Sequence, residues 1–288
     1  MRNVSLIWRI RNKHGKAWWI KLKTALSIAG TDPTGGAGTT VDLKVFQSRG
    51  VYGMSVVTSI VAQNTLGVQQ VFNQPADVIA AQLESVYSDI VPDAVKTGML
   101  ATSEVMDVVR PYIVQHDIPY VIDPVMVAKS GDALLDENGK SAVRTKLLDV
   151  ATVVTPNIPE LEEIVQMKVE TMDDIKRAGK IFINEIGSKS VLIKGGHLKG
   201  DATDYLFTRD EFVVLKGERY DTKHTHGTGC TYSAVITSEL AKGKSIVDAV
   251  NLAKQYMDLA IKYTPELGNG QGPVNHFKYQ EVNPCLHN

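Results

Sequence analysis

Short apolar runs alternate along the chain with segments whose apolar residues recur every three or four positions. Residues 22–29 form the first such run and end at Gly30, which reads as a buried strand. Residues 39–48 place Val41, Leu43, Val45 and Phe46 within one helical stretch, and the Val/Ile-rich residues 54–61 predict another strand. Pro75 opens a helix carrying Val78, Ile79, Leu83, Val86 and Tyr87, a position where its missing N–H is harmless. Strands are expected at 93–99, 119–127, 152–155 and 190–194. Helices are expected at 103–116, 159–166 and 171–186. The rhythm then changes: 203–207 and 211–215 flank Thr208-Arg-Asp, a hairpin signal. Helices at 231–242 and from 245 to about 263 complete the pattern.

Alternation with loops of a few residues predicts an α/β fold: a doubly wound, mostly parallel sheet with helices on both faces and a small β-hairpin near 203–215. No Pro-, Ser- or Gly-rich linker and no internal repeat interrupts it. The expectation is a single domain over 22–280, preceded by a basic extension (1–21) without structure and followed by a short tail (281–288).

Composition narrows the function classes. The 288 residues are 43% hydrophobic and 22% charged, with a net charge of −1, which excludes global disorder. The basic residues Arg2, Arg9, Arg11, Lys13, Lys16, Lys21 and Lys23 crowd the start with no acid among them, so the body is mildly acidic. That argues against nucleic-acid binding, which needs a basic face. No apolar run approaches the ~20 residues of a membrane span. The extension holds Trp8, Trp18 and Trp19, but it has no apolar core or small-residue cleavage site, so neither membrane anchoring nor targeting is expected of it. Cys230 and Cys285 cannot build a disulfide framework, which suits a reducing compartment, the cytoplasm.

The candidate chemistry lies where glycines follow strands, since ligands in such sheets bind beyond the strands' carboxyl ends. Gly30–Gly38 (GTDPTGGAG) is neither a phosphate-binding P-loop nor a dinucleotide fingerprint; it is a tight turn or a close backbone approach to a small ligand. In Lys194-Gly-Gly-His197 the lysine at the end of a buried strand reads equally as a phosphate partner or as a solvated strand end. In Thr225-His-Gly-Thr-Gly-Cys230, Gly227 and Gly229 free the first N–H groups of the next helix to point at an anion. Cys230 sits at that helix start, where a thiol pKa should fall. Asn157 and Glu160 in TPNIPE form either a helix cap or, with Asp123 on the same rim, a holder for hydrated Mg²⁺.

GTDPTGGAG, VDLK, VAQNT, KTGML, DPVMVAKSG, TPNIPE, KGGH and HTHGTGCTYSA occur in this order between Leu22 and Phe277, with GPVNHF closing the set. Together they resemble the hydroxymethylpyrimidine/phosphomethylpyrimidine kinases of thiamine biosynthesis, members of the ribokinase-like superfamily. The resemblance implies ATP- and Mg²⁺-dependent phosphorylation of a hydroxymethylpyrimidine and then of its monophosphate. It implies that Gly30, Asp42, Gln63, Met99 and Val125 hold the pyrimidine, which suits a flat ring needing apolar walls and a side chain offering both donor and acceptor. It further implies that Lys194, Thr228 and Asn157 meet ATP phosphates, that Asn157, Glu160 and Asp123 position Mg²⁺, and that adenine lies near the hairpin and the last helices. By analogy with relatives it implies a homodimer. Dependence on a monovalent cation is left open.

On this reading Gly227, Gly229, Cys230 and Lys194 are the catalytic group: backbone N–H groups and the ammonium stabilise charge in the transferring phosphoryl, and Cys230, as a thiolate, accepts the hydroxyl proton. Much of the superfamily has Asp where this chain has Cys230. The second step attacks with an anionic phosphate oxygen and needs no base, so loss of Cys230 should harm the first step more. The rival readings are a pyridoxal kinase, disfavoured by Ala128 where some such kinases carry a second cysteine; a sugar kinase, disfavoured by the apolar walls; and a non-catalytic pyrimidine-binding regulator, disfavoured by the intact phosphate residues.

Overall fold

The computed structural model describes residues 7–11, 17–126, 135, 137–197 and 201–283. Strands β1 (Ile7–Arg11) and β2 (Ala17–Lys21) pair antiparallel, where an extension without structure was expected. Both segments are rich in β-branched and aromatic residues, which favour cross-strand pairing. Residues 1–6 and 12–16 of the extension, Ala128, and 284–288 of the tail, with Cys285, lie outside the described residues.

The body runs β3 (Thr24–Ala29), α1 (Gly38–Ser48), β4 (Tyr52–Val57), β5 (Ser59–Asn64), β6 (Gly67–Asn73), α2 (Ala76–Tyr87), β7 (Ala94–Thr97), α3 (Ser103–His116), β8 (Tyr120–Ile122), α4 (Glu137–Lys146), β9 (Val153–Val154), α5 (Ile158–Val165), α6 (Met172–Ile181), β10 (Ser190–Ile193), β11 (Asp204–Thr208), β12 (Phe212–Leu215), α7 (Thr228–Ala241), α8 (Ile246–Lys262) and α9 (Lys278–Val282). One sheet has the order β12-β11-β10-β9-β8-β7-β3-β4. From β10 to β4 every pairing is parallel; β11 and β12 close one edge antiparallel.

Side-chain alternation sends each strand into two cores. Leu26, Val95, Ile122, Val154 and Val191 join the layer of α2 to α6, while Ala25, Ala94, Val121, Val153 and Leu192 join that of α1, α7 and α8. The same alternation turns Ser27 and Lys96 toward α1 and α7. At their far ends these two helices are tied by a buried carboxylate: Glu239 Oε1 accepts from Arg49 Nε at 2.8 Å and from Lys242 Nζ at 2.6 Å.

The predicted strand 54–61 is two strands in different sheets. The chain leaves the large sheet at Thr58, whose N–H bonds Ala29 O at 3.0 Å and whose hydroxyl bonds Met99 O at 2.9 Å. A β-branched run carries no local signal for that exit. β5 and β6 then form their own hairpin, bulged between Ala62 and Gln63. Helix α7 starts three residues earlier than expected, because Gly227 adopts the N-cap position with φ +76°. The 171–186 helix widens into π-helical turns at Phe182–Ile186. The strand β6 and helices α4 and α9 had not been anticipated. No helix among the described residues is long and apolar enough to cross a membrane.

Gly179 lies on the buried side of α6, where an added Cβ would sit 2.5–2.6 Å from the Phe207 ring. In an open helix Gly→Ala stabilises by ~1 kcal/mol. Here overpacking reverses the sign, and Gly179→Ala should destabilise by about 1–3 kcal/mol in urea titration.

Candidate active site

Helices α1 and α7 begin beside each other at the carboxyl ends of the parallel strands. Gly227 packs on the Gly36 carbonyl, so a side chain there would collide with it, and its left-handed φ suits glycine. The Gly38 N–H points toward the Cys230 thiol closely enough to favour its charged form, so the first turns of the two helices lie against each other. The Thr228 N–H is turned back onto Thr225 O at 3.3 Å, which leaves the N–H groups of Gly227, Gly229 and Cys230 without a backbone acceptor at the start of α7, a turn suited to an anion.

Lys194 and Asp123 face this turn. The position of an added Cβ on Gly229 is 3.0 Å from Asp123 Oδ2 and 3.3 Å from Lys194 Nζ, so a side chain there would press on both groups. Lys194 Nζ bonds Asp123 Oδ1 at 3.0 Å. Burial opposes the Lys194 charge, yet Asp123 and Glu160 hold its ammonium above the usual lysine range. The Lys194 turn is anchored by Asp204, which accepts from Gly195 N–H at 2.9 Å, Tyr232 OH at 3.1 Å and Lys254 Nζ at 2.9 Å.

Asn157 lies beside Lys194 in a parallel bridge. Its side chain accepts the Glu160 N–H, and Glu160 Oε2 accepts the Asn157 N–H, both at 2.9 Å. This is a reciprocal capping box, which takes up one acceptor site on Asn157 Oδ1 and one on Glu160 Oε2. Burial, with Asp123 adding to it, pushes the Glu160 carboxyl up to about 7 against the pull of Lys194. Among the described residues no three His, Cys, Asp or Glu side chains gather as a metal cluster. The charged donors for a hydrated divalent cation are two carboxylates, Asp123 and Glu160. Their mutual repulsion is what a cation would relieve, and Mg²⁺ commonly keeps most of its waters.

On the other side of the anion turn, Met99 Cε lies 3.0 Å and Val61 Cγ2 3.4 Å from an added Cβ on Gly30. The β5 bulge aims Gln63 at the same loop, with Nε2 at 3.5 Å from Thr31 O. Val125 and Asp123 line a small cavity with Thr97, Gly98 and Leu135. Gly30 and Met99 therefore meet, Gln63 reaches the adjoining Thr31, and Val125 shares the cavity with Asp123.

Asp42 is fully buried, with its carboxylate bonded to Lys96 Nζ at 2.7 and 2.8 Å and to Ser27 Oγ at 2.6 Å. One expectation is corrected: the Cys230 thiol does not fall. Burial pushes it up to about 11, Asp123 and Asp42 add to the rise, and Lys96 and the Gly38 N–H only partly oppose it. The Thr228 hydroxyl and N–H both donate to Thr225 O, at 2.7 and 3.3 Å, so neither is free for an anion without leaving that carbonyl.

Sequence reasoning missed three residues here. Lys96 has no exposed surface, and its signal was a charge inside an apolar strand. Asp32 and His226 lay within recognised glycine motifs and pair at 2.7 Å.

The family model described as phosphomethylpyrimidine kinase matches residues 32–275. A hydroxymethylpyrimidine/phosphomethylpyrimidine kinase of Staphylococcus aureus is 59% identical over 263 residues, 90% of this chain and 95% of the relative. A crystal structure of phosphomethylpyrimidine kinase from Clostridium difficile is 43% identical, with TM-score 0.75, covering 83% of this chain and 100% of that one. A pyridoxal kinase from S. aureus in complex with ADP is 37% identical, with TM-score 0.84, covering 91% and 96%.

The raised Glu160 pKa has a testable sign. The folded state favours the protonated form, so this contribution to stability is present below pH ~4.5 and lost as pH rises through about 7. Glu160→Gln should gain stability relative to the parent between pH 5 and pH 8 in denaturant titrations. A pH-independent difference would show that the carboxylate ionises there without penalty.

Proposed function

The chain belongs to the phosphomethylpyrimidine kinase family, and from that premise we propose how its cleft performs the reaction. The enzyme is a phosphotransferase of thiamine biosynthesis: it phosphorylates 4-amino-5-hydroxymethyl-2-methylpyrimidine and then the monophosphate, using ATP. The observation that carries the site assignment is the opening turn of α7 packed against Lys194 and Asp123.

The pyrimidine lies against Gly30, Met99 and Val125, with Gln63 reading its polar edge. The ATP phosphates meet the N–H groups of Gly227, Gly229 and Cys230 and the Lys194 ammonium, with Thr228 and Asn157 bordering them. The substrate oxygen attacks the γ-phosphoryl in line. Phosphoryl transfer of this kind depends on positioning and charge stabilisation, which the main-chain amides and Lys194 supply. Asp123 and Glu160 would hold Mg²⁺, which neutralises phosphate charge when bound.

With its thiol pushed up to about 11, Cys230 is protonated near neutral pH and is a positioning group rather than a base. Asp42 acts at one remove, by holding Lys96 beneath Cys230. A cytoplasmic location suits the ATP requirement and the free thiol. The β5–β6 hairpin exposes Ile60, Leu66 and Phe72, an apolar face that the second copy of a homodimer would cover.

Steady-state rates with the pyrimidine alcohol, its monophosphate and pyridoxal, measured side by side, test this reading. The two pyrimidines should exceed pyridoxal in kcat/KM by at least ~10-fold, and preference for pyridoxal would overturn the assignment. Cys230→Ala should slow both phosphorylations by similar factors, about 10-fold or less; a loss confined to the first step would restore the base role.

A further inference from the structure

We propose that His226 and Asp32 are a positioning pair: a side-chain clamp that sets the spacing between the pyrimidine half and the phosphate half of the cleft. His226 Nε2 lies 2.7 Å from Asp32 Oδ2, with the carboxylate wholly buried and the imidazole only 14% exposed. An ionised carboxylate only accepts, so Nε2 carries the proton and donates. Burial works against the Asp32 charge, but hydrogen bonds from His226 and Thr34 hold its carboxyl below the usual range.

Each partner is fixed within its own half. Asp32 Oδ1 accepts the Thr34 N–H at 2.9 Å and its hydroxyl at 2.8 Å, and Oδ2 accepts the Gly36 N–H at 3.2 Å. The carboxylate thus shapes the turn that leads from Gly30 into α1. Next to Gly30, the Thr31 N–H bonds Ser59 O at 2.9 Å, which secures the turn to the hairpin bearing Val61 and Gln63. On the other side, the His226 N–H donates to Gly272 O at 3.0 Å, and its carbonyl accepts from Val274 N–H at 3.3 Å. His226 immediately precedes Gly227, the N-cap of α7. A short, charge-assisted bond therefore joins the residue before the anion turn to the loop that walls the ring.

Neither residue is placed among the groups that meet the substrate or the phosphates. The inference rests on the kinase reading and deepens it. A misplacement of ~1 Å between acceptor oxygen and phosphorus costs about 100-fold in rate. A clamp spanning the two halves should therefore act on kcat, not on nucleotide affinity.

Two polar substitutions that differ by one methylene test this in the full-length chain. His226→Gln keeps an N–H donor at nearly the reach of Nε2; His226→Asn does not reach Asp32. Pyrimidine phosphorylation rates, both KM values, ADP binding by calorimetry and thermal melting would be measured for the parent and both variants. The expected result is a kcat lowered ~30–100-fold in the Asn variant and within about 3-fold of the parent in the Gln variant, with ADP affinity unchanged in both. Both variants turning over like the parent, or both equally slow, would overturn the clamp and leave the kinase reading standing. A parent that binds ADP but does not phosphorylate the pyrimidine would overturn both.

Discussion

Two helix N-termini, those of α1 and α7, meet at one point above the carboxyl ends of the parallel strands. Each N-terminus carries roughly half a positive charge on unpaired N–H groups, and their closeness requires glycine where backbone meets backbone, at Gly36 against Gly227. The buried bonds of Glu239 to Arg49 and Lys242 tie the opposite ends of the same helices, so the pair is held at both ends. The field so created explains the local inventory of charge. The carboxylates of Asp32, Asp42 and Asp123 gather near it, and Lys96 and Lys194 balance two of them. Lys194 remains beside the anion turn.

Competition between small and large effects decided the corrected reading of Cys230. A helix dipole contributes about 0.3–1 kcal/mol, less than one pKa unit, whereas full burial moves a group by up to ~3–5 units. At Cys230 burial wins, and the thiol rises to about 11 instead of falling. Asn157 shows a local effect at work in hydrogen bonding: a cap with the residue three positions on needs only the helix to form, and it binds Asn157 and Glu160 to each other.

Much of the fold was legible because it is written in short-range patterns. The buried strands, the hairpin at β11–β12 and the helices from α1 to α8, apart from α4, lie close to where periodicity and capping residues put them. Where reading failed, the deciding contacts were distant in sequence. The exit at Thr58 depends on Ala29 and Met99, and the early start of α7 depends on Gly227 fitting under Gly36. No local propensity reports either contact.

The amino-acid sequence by itself determined the class of architecture, the glycine turns at strand ends, and the residues that resemble a pyrimidine kinase. Only the tertiary structure decided which of those residues face one another: Gly229 against Lys194 and Asp123, Asp42 withdrawn onto Lys96, His226 clasping Asp32. The reason is physical. Hydrophobic period and turn chemistry act over a few residues, whereas ion pairing, desolvation and close backbone approach depend on distances that exist only once the strands are ordered side by side.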